Sequence, residues 1–351
     1  MNFALFKELS EAAGIPSREH NLRRIVRREM KGRVDSLETD ALGNVIGFRK
    51  GRGKGTRRKV MIAAHMDEIG FLVKHIDDRG FLRLQPLGGF DPRQLFAQRV
   101  FVHGASGEAV RGVLVYNTKP THLLDDHERA AAPKLDNFYV DLGLPGDEVK
   151  KLARVGDMVT LDRTLERCGR CVIGKAIDNR AGVLVLLETL QRLKKHDVDV
   201  YAVATTQEEI GLRGAGVAAY GINPDIGVAL DTTLATDYPG MPEPDICTRL
   251  GKGVGIKIMD ASLVCHPRLV EHMRAIAERE NIPHQMEILP RGGTDGGAIQ
   301  RTRAGTVSMT LSVPTRYIHT VNEMAHEDDV DATITLLTRY IEEAHKGDYA
   351  L

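Results

Sequence analysis

At 351 residues the chain is too long for one small domain, and its 42% hydrophobic and 27% charged content excludes global disorder. Its 48 basic and 48 acidic residues cancel, which excludes binding to nucleic acid or a membrane surface through bulk charge. No apolar run is long enough to span a bilayer, and "MNFALFKELSEAAG" reads as an amphipathic helix without a signal-peptide cleavage pattern, so a cytoplasmic location is expected.

In chain order, the pattern predicts helices over 3–13 and 17–31, the second capped by Ser17. A strand follows at 44–49, then a solvated basic loop, "GRGKGTRR". "KVMIAAH" (59–65) is a continuous apolar strand that ends on a histidine, the signature of a central strand covered on both faces. From about Gly70 to Asp162 short alternating strands and turn glycines replace the helices. This predicts a small β-domain, residues 69–162, inserted into an α/β domain made of 1–68 and 163–351. Within it, 117–137 is a long polar stretch carrying His122, Asp126 and His127; the expectation is a mobile loop. Helix and strand alternation returns after Val172. Residues 178–195 form a helix apolar on nearly every face, with Asp178 at its N-cap position. Strands at 198–207 and 226–231 follow, then helices striped by Leu269, Met273 and Ile276 and by Val330, Ile334, Leu337 and Ile341. The fold class is therefore α/β, a mixed central sheet covered by helices, with an inserted small barrel-like β-domain.

The chemistry-bearing residues collect where sites form in open α/β sheets, at the carboxyl ends of strands. His65 and Asp67 follow the 59–64 strand. Glu208 and Glu209 follow 198–206, Asp231 ends "IGVALD", and His319 follows "SVPTRYI". Singly, each has a plainer role: a surface histidine, an N-cap, a turn residue, a solvated pair. Together, two histidines and several carboxylates suit a pair of divalent ions, whose charge makes an adjacent acid doublet tolerable and leaves one acid free as a base. Cys168 and Cys171 form a C-x-x-C without the second pair a zinc ribbon requires, and the expectation is two reduced thiols in a turn.

Six segments in this order, "AHMDEIGF", "GKAIDNRAG", "TTQEEIGLRGA", "ALDTT", "RGGTDGGAI" and "TRYIHT", resemble the tetrahedral, or glutamyl, aminopeptidases, a family of dinuclear metallo-aminopeptidases some of which have carried an endoglucanase label. The resemblance covers nearly the whole chain. It implies two divalent ions per subunit, zinc or cobalt. His65 and Asp231 would hold one ion, Glu209 and His319 the other, and Asp178 would bridge them. Glu208 would be the general base and Asp67 the acid that orients His65, while Gly292, Gly293, Thr294 and Asp295 would border the substrate. It further implies peptide substrates cut at a free N-terminus, and a homododecamer built from dimers that pair through the inserted domain, against a plain dimer as the simpler outcome. The competing readings are another dinuclear-metal hydrolase such as a carboxypeptidase or deacylase, a glycosidase using paired carboxylates without metal, and a non-enzymatic assembly protein.

Overall fold

The computed structural model describes residues 1–104, 107–119 and 121–351 and divides into two compact units. The first comprises Met1–Glu68, Thr164–Ile318 and Asn322–Leu351; the second comprises Ile69–Arg163 with His319–Val321.

Among the described residues, the first unit is built on an eleven-stranded mixed sheet. Its centre is parallel, in the order Asp199–Thr205, Lys59–His65, Ile226–Leu234, Val307–Arg316. Antiparallel strands extend it on both sides, Val45–Arg49 and Ser36–Thr39 beyond the first, Glu323–His326, Cys171–Gly174 and Glu166–Cys168 beyond the last. The alternation of side chains along a strand explains the near-unbroken apolar runs. In Lys59–His65, Val60, Ile62 and Ala64 pack with Leu184 and Leu187 of the helix Ile177–Arg192, while Met61 and Ala63 pack with Ala215, Ala218 and Ile299 on the opposite face. His65 continues the second series and so points to the face carrying the helices Arg213–Ile222 and Asp295–Gln300.

Two predicted helix starts need correction. The second helix begins at His20 with Glu19 at the cap position, and Ser17, at φ +66°, caps nothing. Asp178 is not an N-cap either. Asp178 and Asn179 have non-helical backbone, and the Asn179 side chain accepts the Gly182 amide at 3.0 Å, so the asparagine caps the regular helix.

In the second unit six antiparallel strands of the described residues close into a barrel, in the order Gly70–Ile76, Leu82–Leu87, Phe138–Asp141, Ala109–Tyr116, Gln98–His103, Met158–Leu161. Phe71, Val73, Leu82, Val100, Leu114, Phe138, Val140 and Val159 fill it. Closure removes the exposed edges that an open sheet of this size would present. The four-residue strand Phe138–Asp141 was not legible in the sequence, being too short for periodicity to show. The polar stretch before it carries a short helix, Asp126–Ala130, fixed by a reciprocal cap between Asp125 and Glu128, and Lys119 pairs with Glu128 at 2.6 Å. His122, Asp126 and His127 are exposed there. No helix of the described residues is long and apolar enough to cross a membrane.

Candidate metal centre

The first unit brings one histidine and a ring of carboxylates to the same face of the sheet. The buried His65 Nε2 lies 3.4 Å from Asp178 Oδ1, 3.7 Å from Glu208 Oε2 and 3.7 Å from Asp231 Oδ1. Two sets of ligand atoms, His65 with Glu208 and Asp231, and His65 with Asp178 and Glu209, each fall within 4.8 Å of one another. Hence five of the predicted residues converge. His319 belongs with Thr320 and Val321 to the barrel unit, where its ring faces Gly89 closely enough that a β-carbon there would touch Nδ1 at 3.4 Å.

Each acid is delivered by a specific backbone device. The Asp67 carboxylate accepts the amides of both Glu208 and Glu209, each at 3.1 Å. Hydrogen bonds to a charged acceptor are worth about 1.5–3 kcal/mol each, so Asp67 holds the doublet's backbone. His65 Nδ1 is met at 3.1 Å by the Asp67 carbonyl oxygen, and the Asp67 carboxylate, shared with the two amides, also faces that nitrogen at 3.6 Å. Asn44 supports the same turn: its Oδ1 accepts the Thr206 amide at 3.0 Å, and its Nδ2 donates to the Gly214 carbonyl at 3.0 Å. Gly214 is required there, since a β-carbon would sit 2.4 Å from both Asn44 Oδ1 and the Thr206 carbonyl.

Asp178 follows Ala176 (φ +55°) and precedes a cis peptide bond. Its amide donates to Glu323 Oε2 at 2.9 Å, and Asn179 Nδ2 donates to the Leu230 carbonyl at 2.7 Å, the residue before Asp231. A buried ionic cluster braces this segment against the His65 segment. Lys175 Nζ lies 2.6 Å from Glu68 Oε2, and the fully buried Arg180 lies 3.6 Å from Glu68 while donating to the carbonyls of Leu9, Ala12 and Gly14. Removing one member of such a pair costs about 3–5 kcal/mol. Sequence reasoning missed Glu68, Lys175, Arg180 and Glu323. Their positions were the only signal available: Glu68 follows Asp67 directly, and Lys175 and Arg180 lie three residues before and two after Asp178.

The four residues of "GGTD" divide by burial. Gly292 and Gly293 are exposed. Thr294 is buried, donating to Asp260 Oδ2 and touching Thr310 Oγ1, both at 2.9 Å. Asp295 is buried too and accepts the Thr205 hydroxyl at 2.5 Å, with its other oxygen lacking a hydrogen-bond partner among the described residues. Since Thr205 is the register partner of His65, Asp295 joins the acid cluster.

So many acids around one imidazole distort every titration. Burial raises Glu208 well above the carboxylate range; His65 opposes this, and Asp231, Glu209 and Asp295 reinforce it. Burial likewise lifts Asp231 to about 7 and Asp295 to about 6. Burial alone would lower His65, but Glu208, Asp178, Asp231 and Asp67 outweigh it and hold the imidazolium well above its usual range. A buried site with this charge balance fits divalent cations: they pair with the carboxylates and relieve the repulsion that protonation otherwise relieves. Imidazole and carboxylate oxygens form a donor set suited to zinc and its neighbours.

A family model described as M42 glutamyl aminopeptidase matches residues 43–336, a span that contains every residue of this centre. The chain belongs to the M42 glutamyl aminopeptidase family. It is 35% identical over 357 residues to the lysyl aminopeptidase of Pyrococcus furiosus, covering 99% of both chains. Aminopeptidase APDkam598 from the archaeon Desulfurococcus kamchatkensis superposes with a TM-score of 0.92 at 42% identity, over 97% of this chain and 94% of that one. The Pyrococcus horikoshii TET1 peptidase, which can assemble into a tetrahedron or a large octahedral shell, superposes with a TM-score of 0.85 at 29% identity, over 97% and 99%. Membership makes this M42 chain a peptide hydrolase of aminopeptidase type.

Proposed function

We propose that this protein is a metal-dependent aminopeptidase that removes N-terminal residues from peptides with two divalent ions, zinc or cobalt, and Glu208 as general base. The observation that carries the reading is the buried His65 ringed by the carboxylates of Asp178, Glu208 and Asp231, beside Glu209. In this assignment His65 and Asp231 would hold one ion, Glu209 and His319 the other, and Asp178 would serve both; His319 enters through the family likeness. Bound divalent cations supply the positive charge that polarises a scissile carbonyl and acidifies water. Asp67 keeps the Glu208 and Glu209 backbones fixed, so the two side chains divide their tasks. Glu208, the more deeply buried, takes a proton from water on its carboxylate and delivers it to the leaving amine. The surplus of acids also suits a substrate ammonium, which would restrict cleavage to the first residue.

A panel of aminoacyl chromogenic amides, each free or N-acetylated and assayed with zinc, cobalt or manganese, tests this reading. The expected result is turnover of free-amine substrates alone, abolished by chelator. Equal turnover of the acetylated series would indicate a deacylase or endopeptidase, and chelator-resistant cleavage of a glycoside would indicate a glycosidase.

The same family likeness supports a homododecamer of dimers, paired through the barrel unit, as the working form. The barrel supplies a ready-made module for such contacts, because its closed sheet satisfies its own backbone. Light scattering with metal present should give twelve subunits; a mass of one or two would contradict it.

A further inference from the structure

We infer that Cys168 and Cys171 are a dithiol–disulfide pair: a reversible oxidation site, reached by small disulfides, that staples the hairpin leading into the Asp178 segment. The two residues are direct register partners, the last of one strand and the first of the next, separated only by the turn Gly169–Arg170. Gly169, at φ +62°, makes that turn possible. Residues directly opposed in an antiparallel pair have α-carbons about 4.5–5.5 Å apart and side chains on the same face, inside the window that a disulfide spans. Bond formation therefore needs no change of register.

The hairpin is also held still from outside. Arg167 Nε reaches Glu327 at 2.7 Å, Arg170 Nη2 reaches Asp328 at 2.6 Å, and the Glu327 amide donates to the Arg170 carbonyl at 3.1 Å. Cys171 is in turn the register partner of His326, so its strand is clamped on both sides. Four residues beyond Cys171 stands Lys175, in its buried pair with Glu68, and three further on stands Asp178.

Selectivity follows from surroundings. Cys168 is exposed and Cys171 partly so. Cys265 is buried, and burial pushes its thiol up to about 12; Cys247, beside Thr233 and the Ile288 carbonyl, is pushed up to about 11. Burial raises Cys171 as well, which leaves the exposed Cys168 as the first thiol to react, and Cys247 and Cys265 as poor competitors with it. In the exchange the Cys168 thiolate attacks one sulfur of glutathione disulfide, that S–S bond breaks, and one glutathione thiolate leaves. Cys171 then loses its proton and attacks Cys168 Sγ in the mixed disulfide, expelling the second glutathione thiolate. The small disulfide gains two electrons and the two cysteines lose them. Because the bond closes a hairpin already formed, it adds stability by constraining the unfolded chain and leaves the centre's geometry as it was.

The test incubates the metal-loaded protein across a series of oxidised-to-reduced glutathione ratios, alkylates the remaining thiols and maps the peptides by mass. The expected product is one peptide carrying an internal Cys168–Cys171 bond, lighter by two hydrogens, formed with a single midpoint while Cys247 and Cys265 stay alkylated. Cys171→Ser should instead accumulate glutathione on Cys168, and Cys168→Ser should give no disulfide. The oxidised wild type should melt a few degrees higher with unchanged turnover, and neither serine variant should show that rise. Three results would overturn the inference: no internal bond at any ratio, an intermolecular bond in its place, or thiols of the reduced protein shielded from alkylation by a stoichiometric metal ion.

Discussion

Glu208→Gln should lower kcat for aminoacyl amides by about a hundredfold to ten-thousandfold, the range a positioned acid–base group contributes, while metal content stays at the wild-type level. The substitution keeps the side chain's shape and leaves Asp67 bonded to both backbone amides, since those bonds do not involve the Glu208 carboxylate. What it removes is a proton acceptor in a buried, acid-rich setting. Geometry makes the metal measurement decisive. Glu208 Oε2 stands as close to His65 Nε2 as Asp231 Oδ1 does, so Glu208 also sits where a ligand could. Loss of one ion in the variant would make Glu208 a ligand and Glu209 the candidate base. A near-wild-type rate would remove Glu208 from the chemistry.

Asp178→Asn should lose both ions and reduce turnover more than about a hundredfold, because a bridging position needs a charged carboxylate that an amide does not replace. The variant separates bridging from helix capping more cleanly than the sequence suggested. Asn179 is the residue that caps the helix, so Asp178→Asn leaves the cap in place. A second sign distinguishes the roles. A variant with no ions to lose should melt at the same temperature with and without chelator, whereas chelator should lower the melting temperature of the wild type. Metal analysis and melts with and without chelator read both. A variant that keeps its ions and most of its rate would exclude the bridging assignment.

The layout was legible wherever burial imposes a pattern. The run 59–65 predicts a strand covered on both faces, and its even and odd residues do pack against different helices before His65 emerges at the end. The texture change at Gly70 marks the barrel strands for a similar reason: turn glycines and period-two alternation are local properties. What stayed hidden depends on contacts distant in sequence. Asp67 looks like an orienting acid beside His65, and nothing local shows that its carboxylate also holds the amides of residues 208 and 209. Lys175 and Arg180 look like ordinary charged flanks of Asp178, and only the fold shows them buried against Glu68. Asp295 shared a string with two exposed glycines, and nothing local distinguishes the buried half of "GGTD" from the exposed half. Ser17 failed as a cap because a good capping residue still needs the right backbone, and its φ of +66° lies outside the extended region an N-cap occupies.

The most direct test of the central claim is the melting temperature of loaded and chelator-stripped protein compared at several pH values, with bound metal counted in parallel. Asp231 and Asp295, whose buried carboxyls are raised to about 7 and about 6, bind protons more tightly folded than unfolded, and so does the raised His65. Groups with raised folded pKa values favour the folded state at low pH, and that contribution fades as pH rises through them. The stripped protein should therefore lose ground between pH about 5 and about 8, while two bound divalent ions per chain replace the missing protons. The account predicts a gap between loaded and stripped melting temperatures that widens with pH, with activity returning as the second ion binds. A stripped protein that melts with the loaded one at every pH, or that hydrolyses free-amine substrates without metal, would contradict it.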